Sequence, residues 1–215
     1  MGGQGLKIQQ LRLSRMATFC YVVADERSGS CALIDPAFDT KRILAEVQSA
    51  GYEVSHIINT HGHSDHTAGN AAIKAATGAD ILIHEQDARR LEKGLNKVFS
   101  RVLGGRGSPK PDVLVTDGDL IAIGETQLTV IHTPGHTPGG ICLYGDGHVF
   151  TGDTLFVGAV GRTDLAGGSM KQLIDSIRER LYTLPDETVV WPGHDYGASP
   201  KSTIRRERET NPFTL

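Results

Sequence analysis

The sequence predicts a layered α/β protein with sheets packed inside helices, and three observations carry that prediction. Short apolar runs of strand length alternate with segments of helical apolar spacing through the first half of the chain. The stretch from Leu114 to Phe150 then reads almost entirely as strand. Glycine, at 26 of 215 residues, is above average usage and marks many tight turns and close backbone approaches.

The elements follow in order. "KIQQLRL" and "ATFCYVVAD" read as strands, with "ERSGS" as the turn into "CALIDPA". In "DTKRILAEVQSAG", Ile43, Leu44 and Val47 fall at helical spacing and Gly51 supplies the stop. "VSHIINT" is a short apolar strand running into "THGHSDHTAG". "HTAGNAAIKAATG" reads as one helix ending at Gly78, and "DILIHEQDARRLEKG" as a strand followed by a helix. Residues 95–112, with Gly104, Gly105, Gly107, Pro109 and Pro111, break this grammar and form a loop, a candidate lid. The later strands are "LVTDGDLIAIG", "TQLTVIHT", "GGICLYGDG", "HVFTGD" and "ETVVWPGH", with helices over 169–182 and at "STIRRERET". No Ser/Gly linker divides the chain, so residues 1–215 are expected to form a single domain.

Composition excludes several classes. The net charge of -3, with Lys and Arg scattered except in the sign-alternating "TIRRERE", gives no basic platform for nucleic acid. No apolar run approaches membrane-spanning length, and the start lacks the apolar core of a signal peptide. A soluble cytoplasmic protein, with no membrane partner, is expected. Cys20, Cys31 and Cys142 form no CxxC pair, which excludes a structural zinc knot and disfavours a disulfide framework.

The chemistry concentrates in "THGHSDHTAG", where His61, His63, Asp65 and His66 fall within six positions. On a strand His61 and His63 share a face, and the turn at Gly62 and Ser64 brings Asp65 and His66 to a neighbouring point. Taken alone, the cluster also fits a polar turn of solvated histidines. Three further segments weigh against that. "TPGHTPGG" sets His136 in a turn between strands, "FTGDTLF" sets Asp153 at a strand end, and "VVWPGHDYG" sets His194 just after another strand. Five histidines and two carboxylates so placed can make two nitrogen/oxygen metal sites, with one carboxylate bridging. Other histidines lack such support: His56 and His132 precede the clusters as packing or supporting residues, and His84 and His148 have no evident partners.

"THGHSDH" resembles the HxHxDH signature of the metallo-β-lactamase superfamily, and "TPGHTPGG", "TGDTLF" and "PGHDYG" are similar to its later ligand motifs, in the same order. The resemblance spans nearly the whole chain. It implies a four-layer αββα sandwich with the site at the edge between the β-layers. It also implies that His61, His63 and His136 hold a first ion, that Asp65, His66 and His194 hold a second, and that Asp153 bridges them.

Within the superfamily the common zinc β-lactamases carry a cysteine where this chain has Asp153. The nucleic-acid-processing members carry an insertion too large for the 40 residues between Asp153 and His194. The nearest resemblance is to the glyoxalase II-like hydrolases and their sister branch, the persulfide dioxygenases. Both share "GRTD" and the closing pattern of "PGHDYG", "ST", "ER" and "NP". "PGHTPGG" and "GRTDLAGGS" are similar to the hydrolases, whereas "HDYG" is similar to the dioxygenases. Arg162 is expected to anchor the ligand-bearing loop, Asp164 to cap a turn or pair with Arg162, and Tyr196 to face the substrate or pack.

The hydrolase reading implies cleavage of a small thioester such as S-D-lactoylglutathione, with Asp65 and Asp153 as the catalytic carboxylates that orient the nucleophile. Two divalent ions, zinc by default and iron or manganese as options, would make hydroxide available near neutral pH. Full-length glyoxalase II carries a C-terminal helical domain that helps bind glutathione, and this chain stops soon after His194. Lys97, Arg101, Arg106 and Lys110 in the 95–112 loop either supply charge for the substrate or are solvated cations. The alternative is a single Fe(II) on His61, His136 and Asp153, oxidising glutathione persulfide. A homodimer is the usual expectation for a protein of this kind.

Overall fold

The computed structural model describes residues 6–92 and 105–215. The chain folds as two six-stranded sheets face to face, with helices on both outer faces. This is the αββα sandwich. The first sheet has the order β1-β2-β3-β4-β5-β6, formed by Lys7–Arg12, Phe19–Asp25, Ser30–Ile34, Glu53–Ile58, Asp80–His84 and Val113–Val115. The second runs β14-β13-β10-β9-β8-β7, from Ser202–Thr203, Val189–Pro192, His148–Gly152, Ile141–Gly145, Thr126–His132 and Leu120–Ile123. A small hairpin of β11 (Leu155–Phe156) and β12 (Ala159–Val160), which the sequence reading did not separate out, lies beside the second sheet.

The two-residue period of each strand divides its side chains between layers. Along β2, Phe19, Tyr21 and Val23 enter the core between the sheets, while Cys20, Val22 and Ala24 meet the outer helices. Along β9, Ile141 and Leu143 face the inner core and Cys142 the outer one. The inner core joins Ile34, Ile58 and Leu82 of one sheet to Val130, Phe150 and Trp191 of the other. Burying each such side chain stabilises the fold by roughly 1.5–3 kcal/mol. The outer face of the first sheet packs on α1 (Thr40–Ser49), α3 (Asn70–Thr77) and α4 (Glu85–Glu92). The second packs on α5 (Met170–Ser176), which continues as a π-helical turn over Ile177–Leu181, and on α6 (Ile204–Thr210).

Two elements depart from the sequence expectation. "LVTDGDLIAIG", expected as one strand, is β6 and β7, which lie in different sheets on either side of a turn. The helix read through "HTAGNAAIKAATG" is two: α2 (Ser64–Thr67) and α3, with Gly69 between them. Only glycine fits at 69, where a Cβ would lie 2.0 Å from the Pro36 carbonyl oxygen, and the Ala68 carbonyl that a continuous helix would offer to Ala72 instead accepts from the Arg106 and Gly107 N–H groups. The expected stop at Gly78 is present, in the left-handed conformation.

The 95–112 loop lies partly outside the described residues, including Lys97 and Arg101. Its described end, 105–112, is bound to the helices: the backbone N–H groups of Arg106 and Gly107 donate to the Ala68 carbonyl. Arg106 lines a groove with Ser14, Asp39 and Lys41, away from the histidine cluster. All three cysteines are free and buried, and burial raises each thiol pKa, to about 12 for Cys31 and about 11 for Cys142. Among the described residues no helix is long and apolar enough to cross a membrane.

Candidate metal centre

Five strand ends deliver the site. β3 ends at Asp35, β4 leads to His61 and His63, β8 to His136, β10 to Asp153, and β13 to His194. Because β3 runs parallel to β4 and β10 parallel to β13, these carboxyl ends meet at one edge of the sandwich. All seven sequence-predicted ligand residues converge there.

His61, His63 and His136 form a nearly equilateral triangle, with ring centroids 4.7–4.8 Å apart and planes 83–89° to one another. Three perpendicular rings present their nitrogens to one point, as a three-nitrogen metal site requires. Beside them stand Asp65, His66 and His194, with donor atoms within 4.8 Å of one another. Asp153 lies between the groups. Its Oδ1 is 3.3 Å from the Nε2 atoms of both His66 and His194, and its Oδ2 is 3.4 Å from His136 Nε2.

The outward ring nitrogens fix the inward ones. His66 Nδ1 donates to Asp35 Oδ2 (2.9 Å), His136 Nδ1 to the Arg162 carbonyl (2.6 Å) and His194 Nδ1 to the Met16 carbonyl (2.9 Å). These acceptors have no proton to give, so each ring N–H points outward. Thr60 donates its hydroxyl to Asp35 (2.6 Å) and accepts from His61 Nδ1 (3.1 Å), which turns His61 Nε2 inward. His61 Nε2 is buried with no hydrogen-bond partner. His66 and His194 bring Nε2 to Nε2 at 3.1 Å, and His136 Nε2 lies 2.9 Å from His63 Nδ1. In the His66–His194 pair, where both N–H groups point outward, two inward lone pairs at that distance need a positive charge between them. The residues therefore fit a bound metal ion.

Asp35, His61 and His66 also approach one another closely. That group is a relay rather than a third site, because Asp35 Oδ2 already accepts from Thr60 and His66.

The electrostatics differ across the centre. Burial, reinforced by neighbouring histidines, holds His61 well below the usual imidazole range and His63 at about 4. Burial also works against charge on His66, but the carboxylates of Asp153, Asp35 and Asp65 outweigh it and raise its pKa well above the ordinary value. Burial opposes the Asp153 carboxylate as well, and the charges on His194 and His66 nevertheless hold it well below the usual range. The second group thus retains a positive charge, as a proton on His66 or as a cation in its place.

Arg162 and Asp164 form an exposed bidentate pair at 2.7 and 2.6 Å, and it is the carbonyl of Arg162, not its guanidinium, that holds His136. Arg162→Ala is therefore expected to change metal affinity by less than about twofold, as for most exposed ion pairs, in a chelator-competition titration. Tyr196 stacks on His194 (4.6 Å between centroids, 3° between planes) and is 57% exposed at the mouth of the site. It lines a cleft of about 670 Å³ whose floor is His63, Asp65, His136, Asp153 and His194 and whose wall includes Met16, Phe156, Val160 and Leu165.

The remaining histidines stay apart. His56 meets Ser55, His148 accepts from Trp191, and His84 stacks on His132 at 4.1 Å. Sequence reasoning missed Asp35 and Asp87. Asp35 carried a signal, an acid ending an apolar strand before proline in "ALIDPA"; Asp87 carried none.

A four-layer sandwich with a two-part His/Asp centre at its edge defines a metal-dependent protein of the metallo-β-lactamase type. The comparisons agree: residues 13–194 match the model of the metallo-beta-lactamase superfamily, and the chain belongs to it. Its relatives include a hydroxyacylglutathione hydrolase of Rhodospirillum rubrum, 41% identical over 180 residues, covering 83% of this chain. The chain spans 62% of that hydrolase's length. They also include the mitochondrial persulfide dioxygenase ETHE1 of Homo sapiens, 34% identical over 216 residues, covering 98% of this chain and 78% of the dioxygenase. Among solved structures, TTHA1623 in a di-iron-bound form superposes with a TM-score of 0.81 at 33% identity, over 95% of this chain and 99% of that one.

Proposed function

We propose that the chain is a dinuclear metal hydrolase of the glyoxalase II-like type, cleaving a small thioester such as S-D-lactoylglutathione to a carboxylic acid and a thiol. One observation carries this reading. The second ligand group is complete and oriented, with Asp153 Oδ1 equidistant at 3.3 Å from two inward imidazole nitrogens. Bound divalent ions would supply Lewis acidity and make hydroxide available near pH 7.

The chain's own residues do the rest. Asp65 and Asp153 orient the attacking water along the cleft floor, and Asp35 keeps His61 and His66 in the ligating tautomer. Phe156 and Tyr196 flank the His194 ring and limit access of bulk water from that side. A thiolate leaves readily, and no general acid is required of the cleft.

A second reading is a mononuclear Fe(II) persulfide dioxygenase using His61, His136 and Asp153. It is favoured by the near-complete alignment with the human dioxygenase. Anaerobic metal analysis with paired assays separates the two. About two ions per chain and hydrolysis of S-D-lactoylglutathione support the hydrolase. One iron per chain with oxygen consumption dependent on glutathione persulfide would overturn it.

A further inference from the structure

Asp87 of α4 is completely buried, 0% exposed, yet belongs to neither ligand group. Its Oδ2 accepts from the backbone N–H of Gly62 at 2.8 Å, and its Oδ1 accepts from the backbone N–H of Gly139 at 3.0 Å and from Arg90 Nε at 3.1 Å. Gly62 lies between His61 and His63, and Gly139 lies three residues after His136. One carboxylate therefore spans the two loops that bring the three-nitrogen group together.

The approach is too close for side chains on either loop. A Cβ at Gly139 would lie 2.6 Å from the Asp87 backbone nitrogen, and one at Gly62 would lie 2.7 Å from Arg90 Cβ. Arg90 extends the same strap by donating to the Ala166 carbonyl at 2.6 Å. Ala166 belongs to the loop whose Arg162 carbonyl holds His136 Nδ1. The second ligand group is held differently, by Asp35 and by the Met16 carbonyl.

We propose that Asp87 is a positioning residue for the first metal site, setting the gap between the 60–63 and 134–140 loops so that His61, His63 and His136 converge before any ion binds. A carboxylate suits the task because it accepts from three donors at once and has no proton to interfere. In Asp87→Asn the amide keeps the shape but turns an NH₂ group toward an N–H donor, so one loop is released. The inference rests on the metal-centre reading and not on which reaction that centre performs.

The test is a zinc titration of the full chain against a competing chelator, with imidazole ¹⁵N spectra identifying which histidines respond at each step. Asp87→Asn is expected to weaken binding at His61, His63 and His136 by roughly 10–100-fold, as loss of an outer hydrogen-bond partner does elsewhere, and to leave Asp65, His66 and His194 unchanged. Equal weakening of both sites, or no weakening, would overturn the proposal, since general destabilisation does not discriminate between them. Should the variant fail to fold, amide exchange in the metal-free wild type decides. Gly62 and Gly139 are expected to be as protected without zinc as with it, and protection appearing only on zinc binding would overturn the proposal. Neither readout involves thioester hydrolysis, so a failure of the proposed reaction is distinguishable from a failure here.

Discussion

On the dinuclear hydrolase reading proposed above, Asp153→Asn is expected to reduce bound metal from about two ions per chain to below one and to lower hydrolysis by about a thousandfold, roughly 4 kcal/mol of transition-state stabilisation. Asp153 is the carboxylate that faces both ligand groups, with Oδ1 toward His66 and His194 and Oδ2 toward His136. Asparagine fills the same space but is neutral, and one of its two faces becomes a donor. That donor cannot serve as a ligand to either group. The variant also loses the largest carboxylate contribution to the charge on His66. Its metal-free form should show a lower His66 pKa by NMR titration while its far-ultraviolet circular dichroism stays unchanged. Full metal content and activity in Asp153→Asn would remove the bridging role.

Metal-free protein is expected to lose stability on both sides of about pH 6.5, and bound metal should erase the loss on the alkaline side. The two sides have different origins. His66 has a raised folded pKa, so its contribution is full below the unfolded value near 6.5 and disappears as pH rises through the folded value. His63, lowered to about 4 chiefly by burial, has the opposite sign: its contribution is present above 6.5 and is lost as pH falls toward 4. Each titrating group changes stability by at most about 1.4 kcal/mol per pH unit within its window. A metal ion displaces the His66 proton, so zinc stabilisation should grow with pH across the alkaline window. Thermal denaturation at pH 5–9, with chelator and with zinc, measures both effects. A metal-free melting temperature that does not fall above pH 6.5 would contradict the assignment of charge to His66.

Much of the fold and all seven converging residues were legible because the signals are local. His61, His63, Asp65 and His66 sit within one turn, and His136, Asp153 and His194 each follow a recognisable strand with glycine nearby. What escaped depends on distance. Asp35 and Asp87 are two among 25 acidic residues: Asp35 offered only the strand-ending "ALIDPA" pattern, and nothing but contacts across 25 and 52 positions distinguishes Asp87. The Met16 and Arg162 carbonyls that hold His194 and His136 have no side-chain signature at all. The break at Gly69 escaped because the Ala68 carbonyl is taken by Arg106 and Gly107, 38 and 39 positions later, against alanine-rich helical propensity.

Met16, whose carbonyl steadies His194, also lines the cleft and is 51% exposed, while every thiol of the chain is buried. That sulfur neither exchanges with thiols nor forms disulfides, and it takes up a single oxygen as sulfoxide. A centre that only moves water past zinc leaves this sulfur unchanged through any number of turnovers. In the dioxygenase reading, an iron held by His61, His136 and Asp153 would supply oxygen chemistry in the same cleft, where this sulfur could be oxidised. The mass of the peptide bearing Met16 after prolonged turnover therefore keeps a chemical record of which reaction took place.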